Sequence, residues 1–107
     1  MAQPPSPRLQ QLQKMLDRAP ADPFLLYGTA LEYKKADEPQ RALEYLDRTI
    51  QADAGYCYAY FQRGQVHEQL GDIASAKQAY RDGIEAAVRK GDSHARSELE
   101  GALSVIE

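Results

Sequence analysis

Tryptophan is missing from these 107 residues, cysteine occurs once, and phenylalanine and histidine occur twice each. Cys57 has no second cysteine with which to close a disulfide, so packing must hold the chain together. A lone free thiol also suits a reducing compartment, the cytoplasm. No run approaches the roughly 18 apolar residues of a bilayer-spanning helix. The opening Met1-Ala-Gln-Pro-Pro-Ser-Pro has neither the basic front nor the apolar core of a secretory signal, and no membrane partner is expected. Basic residues are outnumbered 13 to 16, for a formal charge of -3. A protein that docks on duplex nucleic acid turns a basic face to the phosphates, so no nucleic-acid partner is expected either. With 43% apolar and 27% charged residues the chain has ordinary globular usage, which excludes wholesale disorder, and its length is that of one domain.

Proline and glycine punctuate the chain at nearly even intervals. Ser6 before Pro7 reads as a helix cap, and Leu9, Leu12, Met15 and Leu16 recur at helical spacing until Pro20. Asp22-Pro23 opens a second segment with Leu26, Ala30, Leu31 and Tyr33. Asp37-Glu38-Pro39 opens a third with Ala42, Leu43, Leu46 and Ile50. Beyond Gly55 comes a fourth with Tyr56, Tyr60, Gly64 and Leu70. Gly71-Asp72 and Gly91-Asp92 each pair a residue that tolerates a left-handed helix end with one that caps the next helix. They introduce a fifth segment (Ile73, Ala76, Ala79, Tyr80, Ile84) and a sixth (Ala95, Leu99, Ala102, Leu103, Ile106). Nothing of useful length alternates with period two, so the predicted class is all-α.

Shifting the chain by 34 residues lays Ala42 on Ala76, Leu46 on Tyr80, Ile50 on Ile84, Leu26 on Tyr60 and Ala30 on Gly64. Small falls on small and large apolar on large apolar. The same shift sets Leu9, Leu12 and Leu16 beneath Leu43, Leu46 and Ile50, so the first segment is in phase with the second helix of a unit whose first helix is missing. Two copies, Leu26-x₂-Thr29-Ala30-x₂-Tyr33…Ala42-x₃-Leu46…Ala54 and Tyr60-x₂-Arg63-Gly64-x₂-His67…Ala76-x₃-Tyr80…Val88, resemble the tetratricopeptide repeat, W-x₂-L-G-x₂-Y…A-x₃-F…P. The tryptophan, the leucine and the closing proline of that pattern are replaced.

The resemblance implies a short right-handed α-solenoid of antiparallel helix pairs. A flexible leader is expected over 1–6 and one domain over 7–107, divided into a half-repeat helix (7–19), a first repeat (21–54), a second repeat (55–90) and a capping helix (92–107). Each unit alone leaves an apolar face bare, so stacking stabilises the array. Small residues at Ala30, Ala42, Gly64 and Ala76 are expected where helices cross, and polar faces on the first and last helices are expected to close the ends.

Chemistry is sparse. His67 stands where the repeat pattern has a core tyrosine and reads as a packed, hydrogen-bonded residue; His94 reads as a capping or solvated one. Cys57 lies near a helix start, a place that can lower a thiol pKa, but without a base or resolving thiol it reads as a small packing residue. Glu32, Glu38, Glu44, Asp82 and Glu85 read as solvated charges on helical faces. No phosphate loop G-x-x-x-x-G-K-[ST] occurs. An enzyme is not expected, nor a metal or cofactor.

In a repeat array of this kind the first helices of successive units line a concave groove. That places Phe24, Tyr27, Leu31 and Lys34 (or Lys35) from one unit beside Tyr58, Phe61, Gln62, Gln65 and Gln69 from the next, with Arg96 and Glu100 of the last helix as further candidates. Either the four aromatic rings pack on neighbouring helices in so short an array, or they form a rigid docking surface. A known subtype grips a partner's terminal carboxylate with lysine, asparagine and arginine. At the matching places this chain has Tyr27, Leu31, Gln62, Ser93 and Ser97, so that clamp is absent. The expected function is a non-catalytic module that takes an apolar or amphipathic peptide or helix of a partner protein. The alternative is self-assembly through the same aromatics, and the expected state is a monomer or weak homodimer.

Overall fold

The structure, a computed structural model, describes residues 5–107. Among the described residues it holds six α-helices and no strand: α1 (Pro7–Arg18), α2 (Pro23–Lys35), α3 (Pro39–Ala52), α4 (Cys57–Gln69), α5 (Ile73–Lys90) and α6 (Ser93–Ile106). Their starts follow from local chemistry. The side chains of Ser6, Asp22, Asp72 and Asp92 accept backbone N–H groups of α1, α2, α5 and α6, and Pro7, Pro23 and Pro39 stand in first turns, where a missing N–H costs nothing. Gly71 and Gly91 take positive φ, 78° and 75°, and end α4 and α5.

The helix bounds repeat with the residues. Adding 34 to 23–35 (α2) gives 57–69 (α4), adding 34 to the start of α3 gives 73, where α5 begins, and adding 34 to the end of α1 gives 52, where α3 ends. The helices pack as antiparallel pairs, α2 on α3 and α4 on α5, with α1 and α6 at the two ends. The molecule measures 36 × 30 × 18 Å, the thin direction being two helix layers. This is a helical-repeat solenoid.

Its core is serial. Leu12, Leu16, Leu25 and Leu26 join α1 to α2; Leu9, Ala30, Tyr33, Ala42, Leu46, Ala59 and Val66 fill the first repeat and its junction with the next; Tyr60, Ala76, Tyr80, Ala87, Leu99 and Leu103 fill the second repeat under α6. Ala42 and Ala76 have no exposed surface, and a Cβ on Gly64 would stand 2.2 Å from the Tyr80 ring. The expected close crossings are therefore present.

Several expectations need correction. Helical spacing puts Met15, Leu70 and Ile73 on apolar stripes, but all three are exposed, at a helix end or on a face with no neighbour. Thr29 and Thr49 are fully buried instead, because each hydroxyl donates to a carbonyl one turn back, Leu25 O at 2.8 Å and Tyr45 O at 2.7 Å. Glu32 is not a solvated charge: its side chain is 10% exposed, accepts from Ser6 Oγ and pairs with Arg8 at 3.2 Å and Lys35 at 3.9 Å. Ser6, the last residue of the expected leader, is thereby tied down; residues 1–4 of that leader lie outside the described residues. Where the repeat pattern would close α3 with proline, Asp53 accepts from Gly55 N–H and Tyr60 donates to Ala54 O, and these bonds fix the joint to α4.

Candidate functional site

Phe24, Tyr27, Leu31 and Lys34 fall at i, i+3, i+7 and i+10 on α2, and Tyr58, Gln62 and Gln65 at matching intervals on α4, so each set forms one helical stripe. The structure joins the two stripes through Lys34. Its ammonium donates to Gln62 Oε1 and Gln65 Oε1, each at 2.7 Å, across 28 and 31 residues of sequence. Lys34, Gln62 and Gln65 are thus one connected cluster, in a row with Tyr27 two turns back along α2. Lys34, like Lys14, Arg18, Arg48, Lys77, Arg89 and Lys90, has no carboxylate at ion-pairing distance among the described residues, but it alone of these is held between two glutamine oxygens. Burial holds the Lys34 pKa below the usual lysine value.

The aromatic end of the row is built by Tyr56, which helical spacing sets in line with Tyr60 and Gly64. Tyr56 occupies the position before α4 where α2 and α6 have the capping aspartates Asp22 and Asp92, and it makes no capping hydrogen bond. Its ring packs on Tyr27 instead, centroid to centroid 4.9 Å with 39° between the planes. An open cleft of about 280 Å³ follows, lined by Tyr27, Tyr56, Cys57, Tyr58, Lys90 and Asp92. The extra last turn of α5 completes it: Lys90 donates to Gly55 O at 3.1 Å. Burial raises the pKa of Tyr27, Tyr56 and Tyr58. Nearby Asp53 and Asp22 add to the effect at Tyr56, and Glu98 and Asp92 at Tyr58, so the phenols stay protonated donors at neutral pH.

The remaining candidates divide. Phe24 is 68% exposed at the start of the α2 stripe, and Leu31 is half-buried between Tyr27 and Lys34. Tyr58 is half-buried against the second-repeat core. Phe61 turns toward α5, its ring 6.0 Å from that of Tyr80, and joins the core beneath the face. Arg96 and Glu100 pair with each other at 3.4 Å, one turn apart on α6.

His67 is half-buried, and its ring makes no hydrogen bond among the described residues; it borders a surface dent with Arg63, Ser75 and Gln78. His94 pairs with Glu98 at 2.7 Å, while the capping of α6 falls to Asp92. Cys57 is buried, and burial followed by the nearby Asp92 raises its thiol pKa, the reverse of activation. No group of three or more potential metal-ligating side chains converges among the described residues, and no helix there is long and apolar enough to cross a membrane.

Stacked antiparallel pairs with a continuous mixed aromatic and polar face define a helical-repeat interaction module rather than a pocket protein. The chain belongs to the tetratricopeptide repeat family. A TPR repeat-containing protein of Pseudomonas aeruginosa is 31% identical over 91 residues, covering 85% of this chain and 87% of the relative. The heat-shock cognate co-chaperone sgt12 of Aspergillus fumigatus is 30% identical over 92 residues, 86% of this chain but 27% of that longer protein. The solution structure of a tetratricopeptide repeat domain protein from Salinibacter ruber superposes with a TM-score of 0.77 at 34% identity, covering 82% of this chain and 89% of that one. No family model matches the sequence.

Proposed function

We propose that the face formed by α2, α4 and α6 docks a peptide or helix of a partner protein, without catalysis. The observation that carries this reading is Tyr56. A helix start gives up its capping side chain, a loss of about 1 kcal/mol, to place a ring against Tyr27 at the edge of an open cleft. Both rings also rest on the first-repeat core, and a departure from local preference that leaves an open cleft beside it is characteristic of functional surfaces. The exposed Phe24 and the half-buried Leu31 extend the apolar part, and the Lys34–Gln62–Gln65 cluster supplies directional polar contacts. The co-chaperone relative supports the same class of activity, since a co-chaperone acts with another protein.

Amide chemical-shift mapping with peptides selected for binding tests the proposal. The expected result is perturbation concentrated at Tyr27, Leu31, Tyr58, Gln62 and Gln65. Perturbation confined to the opposite layer, α1, α3 and α5, sinks it. Self-assembly through the same rings is separated by sedimentation over a range of concentrations, in which the docking reading requires the free chain to stay monomeric at the concentrations where peptide binds.

A further inference from the structure

Lys34 is the only cation on the two facing stripes of α2 and α4, and its surroundings specify what it lacks. An ammonium carries three N–H donors. Two are spent on Gln62 Oε1 and Gln65 Oε1, and no carboxylate of the described residues stands at ion-pairing distance. The charge is neutralised by nothing within the row, and burial disfavours it. Two glutamine oxygens on the same nitrogen orient the third donor and repel a second anionic oxygen brought alongside. The site therefore suits one carboxylate oxygen on one N–H. A chain terminus held by several converging cationic side chains is a different arrangement, and this row has no second cation for it.

We infer that the partner segment carries an aspartate or glutamate side chain that seats on Lys34, with an apolar side chain in the Tyr27–Tyr56 cleft. This inference rests on the docking role of the α2–α4–α6 face. The spacing is fixed by the helix: Tyr27 and Lys34 are seven residues apart, about 10 Å along the axis. The acidic and apolar anchors then lie seven positions apart in a helical partner lying along α2, or three apart in an extended one.

Libraries of amphipathic peptides, displayed internally so that no free terminus is offered, are selected on the intact 107-residue chain and on Lys34→Glu. Expected is enrichment of Asp or Glu at one of those two spacings from an apolar anchor. Changing that acid to its amide weakens a selected peptide about tenfold. Lys34→Glu selects Lys or Arg at the same position, and Lys34→Gln, melting like the parent, loses the preference for either charge.

Peptides blocked by Leu31→Arg that show no preference for an acid overturn this inference and leave the docking face standing. Peptides indifferent to Leu31→Arg, or a selection that yields none, overturn both. Peptides that bind only when given a free carboxy terminus assign the contact to a chain end and overturn the side-chain assignment. Concentration-dependent sedimentation abolished by Lys34→Glu makes a second copy the occupant, which also overturns it.

Discussion

Gly64 and Tyr80 show how one repeat position is solved twice. In the first repeat the corresponding pair is Ala30 and Leu46, both buried. In the second the larger Tyr80 ring leaves no room for a Cβ opposite it, since one built on Gly64 would meet ring carbons at 2.2–2.7 Å. Gly64→Ala is expected to destabilise by about 1–3 kcal/mol through overpacking, despite the better helix propensity of alanine. In a Tyr80→Leu background, which recreates the first-repeat pair, the same change is expected to be neutral or stabilising. A double-mutant cycle in urea measures the coupling, and additive effects exclude this account. Cys57 offers a simpler check: its buried, raised-pKa thiol is expected to alkylate much more slowly in the native protein than in denaturant, and equal rates contradict the burial.

The turns differ more than the helices they join. Asp37 adopts a left-handed φ of 59° at the position where the second repeat has Gly71, and Glu38 stands where the second repeat has the capping Asp72 but makes no capping bond. The turn inside the first repeat thus carries strain and an open helix start that the turn inside the second avoids. Asp37→Gly and Glu38→Asp are each expected to stabilise by about 1 kcal/mol, raising the melting temperature by about 4–8 °C apiece. A fall in melting temperature for either refutes the assignment. At the start of α4 the opposite trade is expected: Tyr56→Asp restores a cap and keeps or raises stability, while peptide affinity falls. Unchanged affinity separates Tyr56 from the docking surface.

Across the whole molecule the tyrosines set the alkaline limit. Burial raises the pKa of Tyr27, Tyr56, Tyr58, Tyr60 and Tyr80, and at Tyr80 the hydroxyl donated to Glu68 raises it further. A phenol whose folded pKa lies above the unfolded value of 10.0 keeps its proton in the native state while the unfolded chain releases it. The unfolded state then binds fewer protons, so the tyrosines' contribution to stability is full below pH 10 and falls as pH rises beyond it. Cys57, raised from 9.0, acts in the same direction and begins to do so above pH 9, and Lys34, lowered from 10.5, acts with the opposite sign. Urea midpoints from pH 8 to 11.5 are expected to drop steeply above 10, and Tyr80→Phe, less stable at neutral pH, is expected to show a shallower drop. A flat profile through pH 11 contradicts these environments.

What the sequence determined by itself is what lies within a few residues or repeats at a fixed offset. The caps at Ser6, Asp22, Asp72 and Asp92 and the prolines and glycines at helix starts and ends act on the backbone within one turn, and the 34-residue period was legible because each unit solves the same packing problem. Tertiary structure alone decided the long-range partners. That Lys34 meets Gln62 and Gln65, that Glu32 is covered by Arg8 and Ser6, that Phe61 packs on Tyr80 and Tyr56 on Tyr27, depends on how helices far apart in the chain are rotated against one another. Helical spacing says which residues share a face. It leaves open which neighbour that face meets, because the angle between packed helices is set by the summed shape of all the side chains between them.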